Sequence, residues 1–123
     1  MIRGVHTMFY SDQAAALRAF MRDVLGFSAT DVGDGWLIFD LPEADMGIHP
    51  TDHPGSPASG TAEISFYCDD IQSTVDELQG RGVEFVSDIE DHGYGWVTRM
   101  KVPGGFEIQL YQPKYERDRS SLR

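Results

Sequence analysis

The sequence predicts an α+β fold made of two tandem βαβββ modules, and three landmarks repeated in the same order carry that expectation. His6–Asp12 reads HTMFYSD and Glu63–Asp69 reads EISFYCD, each with a polar residue ahead of Phe-Tyr, one small residue and Asp. Gly35-Trp36 recurs as Gly95-Trp96, and Leu41-Pro42 is answered by Val102-Pro103. One matched heptapeptide would be weak support. Three matched landmarks with matched hydrophobic patterns between them identify a duplicated unit.

The elements follow in order. Ile2–Tyr10 mixes β-branched and aromatic residues as a strand does. Asp12 can accept from the open N–H groups of a helix start. Behind it, Leu17, Phe20, Met21 and Val24 recur at helical spacing on one face. Gly26 suits a left-handed stop. Strands are expected at Phe27–Val32, Trp36–Leu41 and Asp45–His49, with Gly33-Asp34-Gly35 as the turn between the first two. Pro50–Gly60 holds three prolines and two glycines and reads as a linker. The order then restarts. A strand at Ala62–Cys68 leads to Asp69-Asp70, either of which can cap a helix whose buried stripe is Ile71, Val75 and Leu78. Gly80 and Gly82 end that helix, and strands follow at Val83–Val86, Trp96–Val102 and Phe106–Tyr111. These boundaries give a single domain over 1–113, with module one at about 1–49, the linker at 50–60 and module two at about 61–113. Residues 114–123 form a polar tail.

Bulk properties exclude several functions. The chain has 123 residues and a formal charge of −10, from 10 basic and 20 acidic residues. Nucleic acids and anionic membranes both require a positive surface, so neither is expected as a partner. Cys68 is the one cysteine, which rules out an intrachain disulfide framework. No stretch approaches the ~18 apolar residues of a membrane span, and no apolar export signal opens the chain, so a cytoplasmic protein is expected.

The tandem βαβββ order, EISFYCDDI and the closing VPGGFEIQLYQP together resemble the vicinal oxygen chelate superfamily, which includes glyoxalase I, extradiol dioxygenases and bleomycin-resistance proteins. The resemblance covers Ile2–Pro113. It implies a curved mixed sheet around a cleft, with ligands drawn from its first, fourth, fifth and eighth strands. It also implies a small-molecule ligand and a homodimer, in which the cleft forms within one chain or across two. Carried over position by position, it puts His6, Glu63 and Gln109 at the metal positions. The fourth-strand position falls near Gly47, which has no side chain to offer, with His49 the polar alternative.

Strand alternation adds an independent argument. If His6 faces the cleft, so do Met8 and Tyr10. If Glu63 does, so do Ser65 and Tyr67. Glu107, Gln109 and Tyr111 share one face of the last strand, opposite Phe106, Ile108 and Leu110. Tyr10, Trp36, His49, Tyr67, Tyr94, Trp96 and Tyr111 are the candidates for substrate contacts, and the cleft-side tyrosines favour a flat or apolar ligand.

Two functions stand on this set. An imidazole and a carboxylate suit a divalent metal (Zn, Ni, Mn or Fe), and Glu63 or Glu107 could move an α-proton in a glyoxalase-like isomerase or lyase. Gln109, a neutral amide, is a weak third ligand. Extradiol dioxygenase chemistry is disfavoured because non-haem iron normally takes two His and one carboxylate. The alternative is a metal-free protein of the bleomycin-resistance type that sequesters an antibiotic or another small molecule, favoured by the depleted ligand set and the negative charge.

Overall fold

The computed structural model describes residues 6–41, 43–44, 48, 50–52 and 54–115. Residues 2–5 of the first expected strand, Gly47 and His49 lie outside them, as does the tail from residue 116. Helix α1 (Ala14–Ala19) runs directly into a π-helical turn (Phe20–Val24). Strands β1 (Ala29–Asp31) and β2 (Leu37–Phe39) form an antiparallel hairpin. Then come β3 (Ser65–Tyr67), helix α2 (Ile71–Gly80), β4 (Glu90–Asp91), β5 (Gly95–Val102) and β6 (Phe106–Pro113). The second half builds a four-stranded sheet in the order β3-β6-β5-β4, parallel between β3 and β6 and antiparallel elsewhere.

Local chemistry explains most of these boundaries. Asp70 caps α2 by accepting from Ser73 N at 3.1 Å, satisfying one of the open donors of the first turn. Asp12 does not cap α1. Its helix starts at Ala14, and Ser11 Oγ accepts from Gln13 N at 3.0 Å instead. Gly26 has φ 80°, and Phe27 N reaches back to Met21 O at 3.0 Å, closing the π turn as expected of a glycine stop. The turn of the β1–β2 hairpin falls at Gly33-Asp34-Gly35, all three with positive φ.

The strand expectations need three corrections. Residues 6–10 are not in a strand, although Thr7 and Phe9 are half-buried and His6, Met8 and Tyr10 exposed. Alternation orients side chains, but a strand also needs a hydrogen-bonded neighbour. Val83–Val86 makes only an isolated bridge between Phe85 and Met100, flanked by Val86 N to Arg99 O and Lys101 N to Glu84 O, both 2.9 Å. Strand β4, which no sequence pattern announced, forms because His92 and Gly93 turn the chain back onto β5, with Gly93 N on Asp91 Oδ1 at 2.9 Å.

One apolar cluster joins the two halves. Leu17 and Met21 from the first helical segment meet Ile71, Val75 and Leu78 of α2, and both sets cover Met100, Val102, Ile108 and Leu110 of the sheet. Phe66 is the bridge, with Phe27 and Phe9 at ring centroids 5.2 and 6.5 Å away. Full burial of a side chain of this size contributes about 1.5–3 kcal/mol. With the helices on this face, the opposite face of the sheet carries the polar residues.

Candidate functional site

Register assembles that open face. Ser65 lies beside Gln109 and Tyr67 beside Tyr111 across the parallel pair, while Arg99 lies opposite Gln109 and Lys101 opposite Glu107 across the antiparallel one. Alternation therefore sets Ser65, Tyr67, Arg99, Glu107, Gln109 and Tyr111 on one face, with Met100, Ile108 and Leu110 on the other.

Two groupings result. The first is ionic. Arg99 donates from Nη1 to Glu63 Oε1 and from Nε to Glu107 Oε1, both at 3.1 Å. The hydrogen bond it donates to Glu63, against some desolvation, holds the guanidinium above even its usual high value, so Arg99 is charged throughout the working pH range. The second grouping is aromatic. Tyr111 is flanked by Tyr67 and Tyr94, each at 6.0 Å between ring centroids and tilted by 54° and 67°. The Tyr111 and Tyr115 phenols are 3.0 Å apart. The Gln109 amide joins the groupings, donating to Ser65 Oγ at 3.2 Å and to the Tyr94 hydroxyl at 3.4 Å. Tyr67 donates to Glu43, from the segment that follows β2 in the first module.

The expected site residues are thus distributed unevenly. Glu63, Glu107, Gln109, Tyr67 and Tyr94 share the open face, with the Tyr111 ring buried between the two tyrosines. His6 is exposed, and no hydrogen bond or ion pair among the described residues joins it to Glu63 or Gln109. Tyr10 is 89% exposed. Trp36 sits after the hairpin turn, with the Arg18 guanidinium 4.8 Å above its ring. Trp96 falls by alternation on the face of Thr98 and Met100, with Lys114 Nζ 4.2 Å from its ring. His49 lies outside the described residues. Arg99, Glu43 and Tyr115 complete the site without having been singled out from sequence, whereas alternation had already set Ser65 on this face. Arg99 could have been found by applying alternation to Trp96–Val102, which sets it on the face away from Thr98 and Met100.

These residues do not fit the metal that the resemblance implies. Among the described residues no group of three or more His, Cys, Asp or Glu side chains is placed to hold an ion. The carboxylates that could contribute already hold a cation. Two unit charges at 4 Å repel by about 4 kcal/mol at an effective dielectric of about 20, and a divalent ion beside Arg99 by about twice that before solvent screening. Cys68 offers no alternative nucleophile, because burial pushes its thiol up and its Sγ donates to Tyr111 O at 3.7 Å.

Residues 3–110 match the family model for the Glyoxalase/Bleomycin resistance protein/Dioxygenase superfamily. The chain belongs to that superfamily. Several solved structures share its fold. An antibiotic-binding protein, TnmS3 from Streptomyces sp. CB03234, is 21% identical over 93% of this chain and 100% of its own, with a TM-score of 0.63. A superfamily member from Sphaerobacter thermophilus is 27% identical over 90% and 98%, with a TM-score of 0.60. A lactoylglutathione lyase from Agrobacterium tumefaciens is 18% identical over 86% and 90%, also at 0.60. No curated protein matches. No helix among the described residues is long and apolar enough to cross a membrane.

Proposed function

We propose that this glyoxalase-superfamily protein binds an aromatic small molecule without a metal, as a sequestering protein rather than a glyoxalase-like enzyme. The observation that carries the reading is the row Tyr67–Tyr111–Tyr94 beside the Gln109 amide. Rigid aromatic side chains supply a large contact area at little entropic cost, and the amide and phenols orient a polar substituent. The ion cluster sets the preferred charge. Two carboxylates around one guanidinium leave a net −1, within a chain of −10, so a cationic or neutral ligand is favoured over an anion. TnmS3, with a similar fold, is an antibiotic-binding protein, which makes antibiotics a sensible first panel.

A metal-dependent glyoxalase-like reaction needs Glu63 or Glu107 available to a metal or an α-proton. Both carboxylates are instead engaged by Arg99. The homodimer implied by the resemblance belongs to the same proposal, supported by the exposed Val32, Trp36, Ile38 and Leu41 around the hairpin. Light scattering at micromolar concentration reads it directly.

Calorimetric titration against cationic aromatic antibiotics, with anionic ones as controls, tests the binding reading. Tryptophan emission is a poor reporter because neither Trp36 nor Trp96 joins the tyrosine row. Saturable heats are expected for at least one cationic compound, weakened tenfold or more by Tyr94→Ala, which removes an exposed ring. Absent heats across the panel, or binding indifferent to Tyr94, would overturn it.

A further inference from the structure

The Glu63–Arg99–Glu107 cluster bears on what the cleft rejects as well as on what it accepts. We propose that Arg99 is the resident cation of this cleft, taking the place of a divalent metal between Glu63 and Glu107 and excluding one. The inference deepens the metal-free reading above and rests on it.

Three observations lead there. The guanidinium spans two separate chain segments, holding one carboxylate from each at 3.1 Å, so it bridges ligands as an ion would. Gln109, which the resemblance puts at a metal position along with His6 and Glu63, is the register partner of Arg99 on β6. The charge is also permanent. A guanidinium is never deprotonated in a protein, so its positive charge stays between the two carboxylates. An incoming metal would have to break two charge-assisted hydrogen bonds and remain beside a fixed positive charge.

The exclusion is therefore removable by one substitution. Arg99→Gln would leave two carboxylates beside the Gln109 amide, a set of hard oxygen donors suited to Mn2+. Equilibrium dialysis of chelator-stripped protein against Mn2+ reads the change, with a melting curve on each variant to establish folding. Wild-type protein and Arg99→Lys are expected to take up no stoichiometric Mn2+. Arg99→Gln is expected to bind it at least tenfold more tightly than wild type, and the Arg99→Gln/Glu107→Gln double variant to lose that gain. Arg99→Met is a second neutral variant if the Gln form does not fold. Stoichiometric Mn2+ on wild-type protein, abolished by Glu63→Gln, would overturn the proposal however the Arg99 variants behave. So would a folded neutral variant that binds no better than wild type. Failure of the antibiotic titration alone would sink the binding reading and leave this metal result standing.

Discussion

The Tyr67 phenol, on the open face of the sheet, donates a hydrogen bond to the Glu43 carboxylate, 24 residues earlier in the chain. The bond ties the segment after β2, in the first module, to the central tyrosine row. Tyr67→Phe keeps the ring and deletes the donor. Hydrogen bonds to charged groups contribute about 1.5–3 kcal/mol, and this half-buried one should fall at the low end. A urea midpoint lowered accordingly, with the slope unchanged, is the expected result.

Asp70 decides where α2 begins. Its side chain accepts from Ser73 N, so Asp70→Ala should destabilise the protein by about 1 kcal/mol, while Asp70→Asn, which keeps an acceptor, should cost far less. Chemical denaturation of the two variants separates the cap from any charge effect.

Met100 and Ile108 face each other across β5 and β6, each 1% exposed, under both helical segments. Met100→Ala should therefore cost about 2–5 kcal/mol, and the smaller Ile108→Val about 0.5–1.5 kcal/mol. A Met100→Ala loss below about 1 kcal/mol in calorimetric melts would mean that this core is looser than its burial indicates.

Asp91 provides a pH-dependent test. Lys114 Nζ lies 2.6 Å from its carboxylate, and Gly93 N donates at 2.9 Å; with Lys114 the larger influence, they hold its pKa below the ordinary 3.8. A depressed carboxylate contributes stability above its unfolded pKa and loses it as pH falls through the lower folded value. The Asp91 carboxyl should thus titrate below 3.8 by carbon-detected NMR and move upward in Lys114→Met. A midpoint unmoved by that substitution would remove Lys114 as the cause.

Much of the architecture was legible because it depends on neighbours in sequence. Ile71, Val75 and Leu78 announce the buried stripe of α2 through helical spacing alone, and all three are buried. The split of β6 into Ile108 and Leu110 on one side and Gln109 on the other follows from a period of two. Residues 6–10 show the limit of such reasoning. Their pattern suits a strand, but pairing requires a partner that local sequence does not supply.

By itself, then, the sequence determined a duplicated α+β chain, its helix stripes and which residues of each strand share a face, because these follow from backbone periodicity. Only the tertiary structure decided which strands adjoin and in what register, since that depends on contacts between distant segments. It brought Arg99 of β5 between Glu63 and Glu107, 36 and 8 residues away in the chain. It also set Trp96, a candidate for substrate contacts, on the face opposite Tyr67 and Tyr111. A motif marks position along the chain, whereas the charge of a cleft depends on which side chains the folded sheet places beside one another.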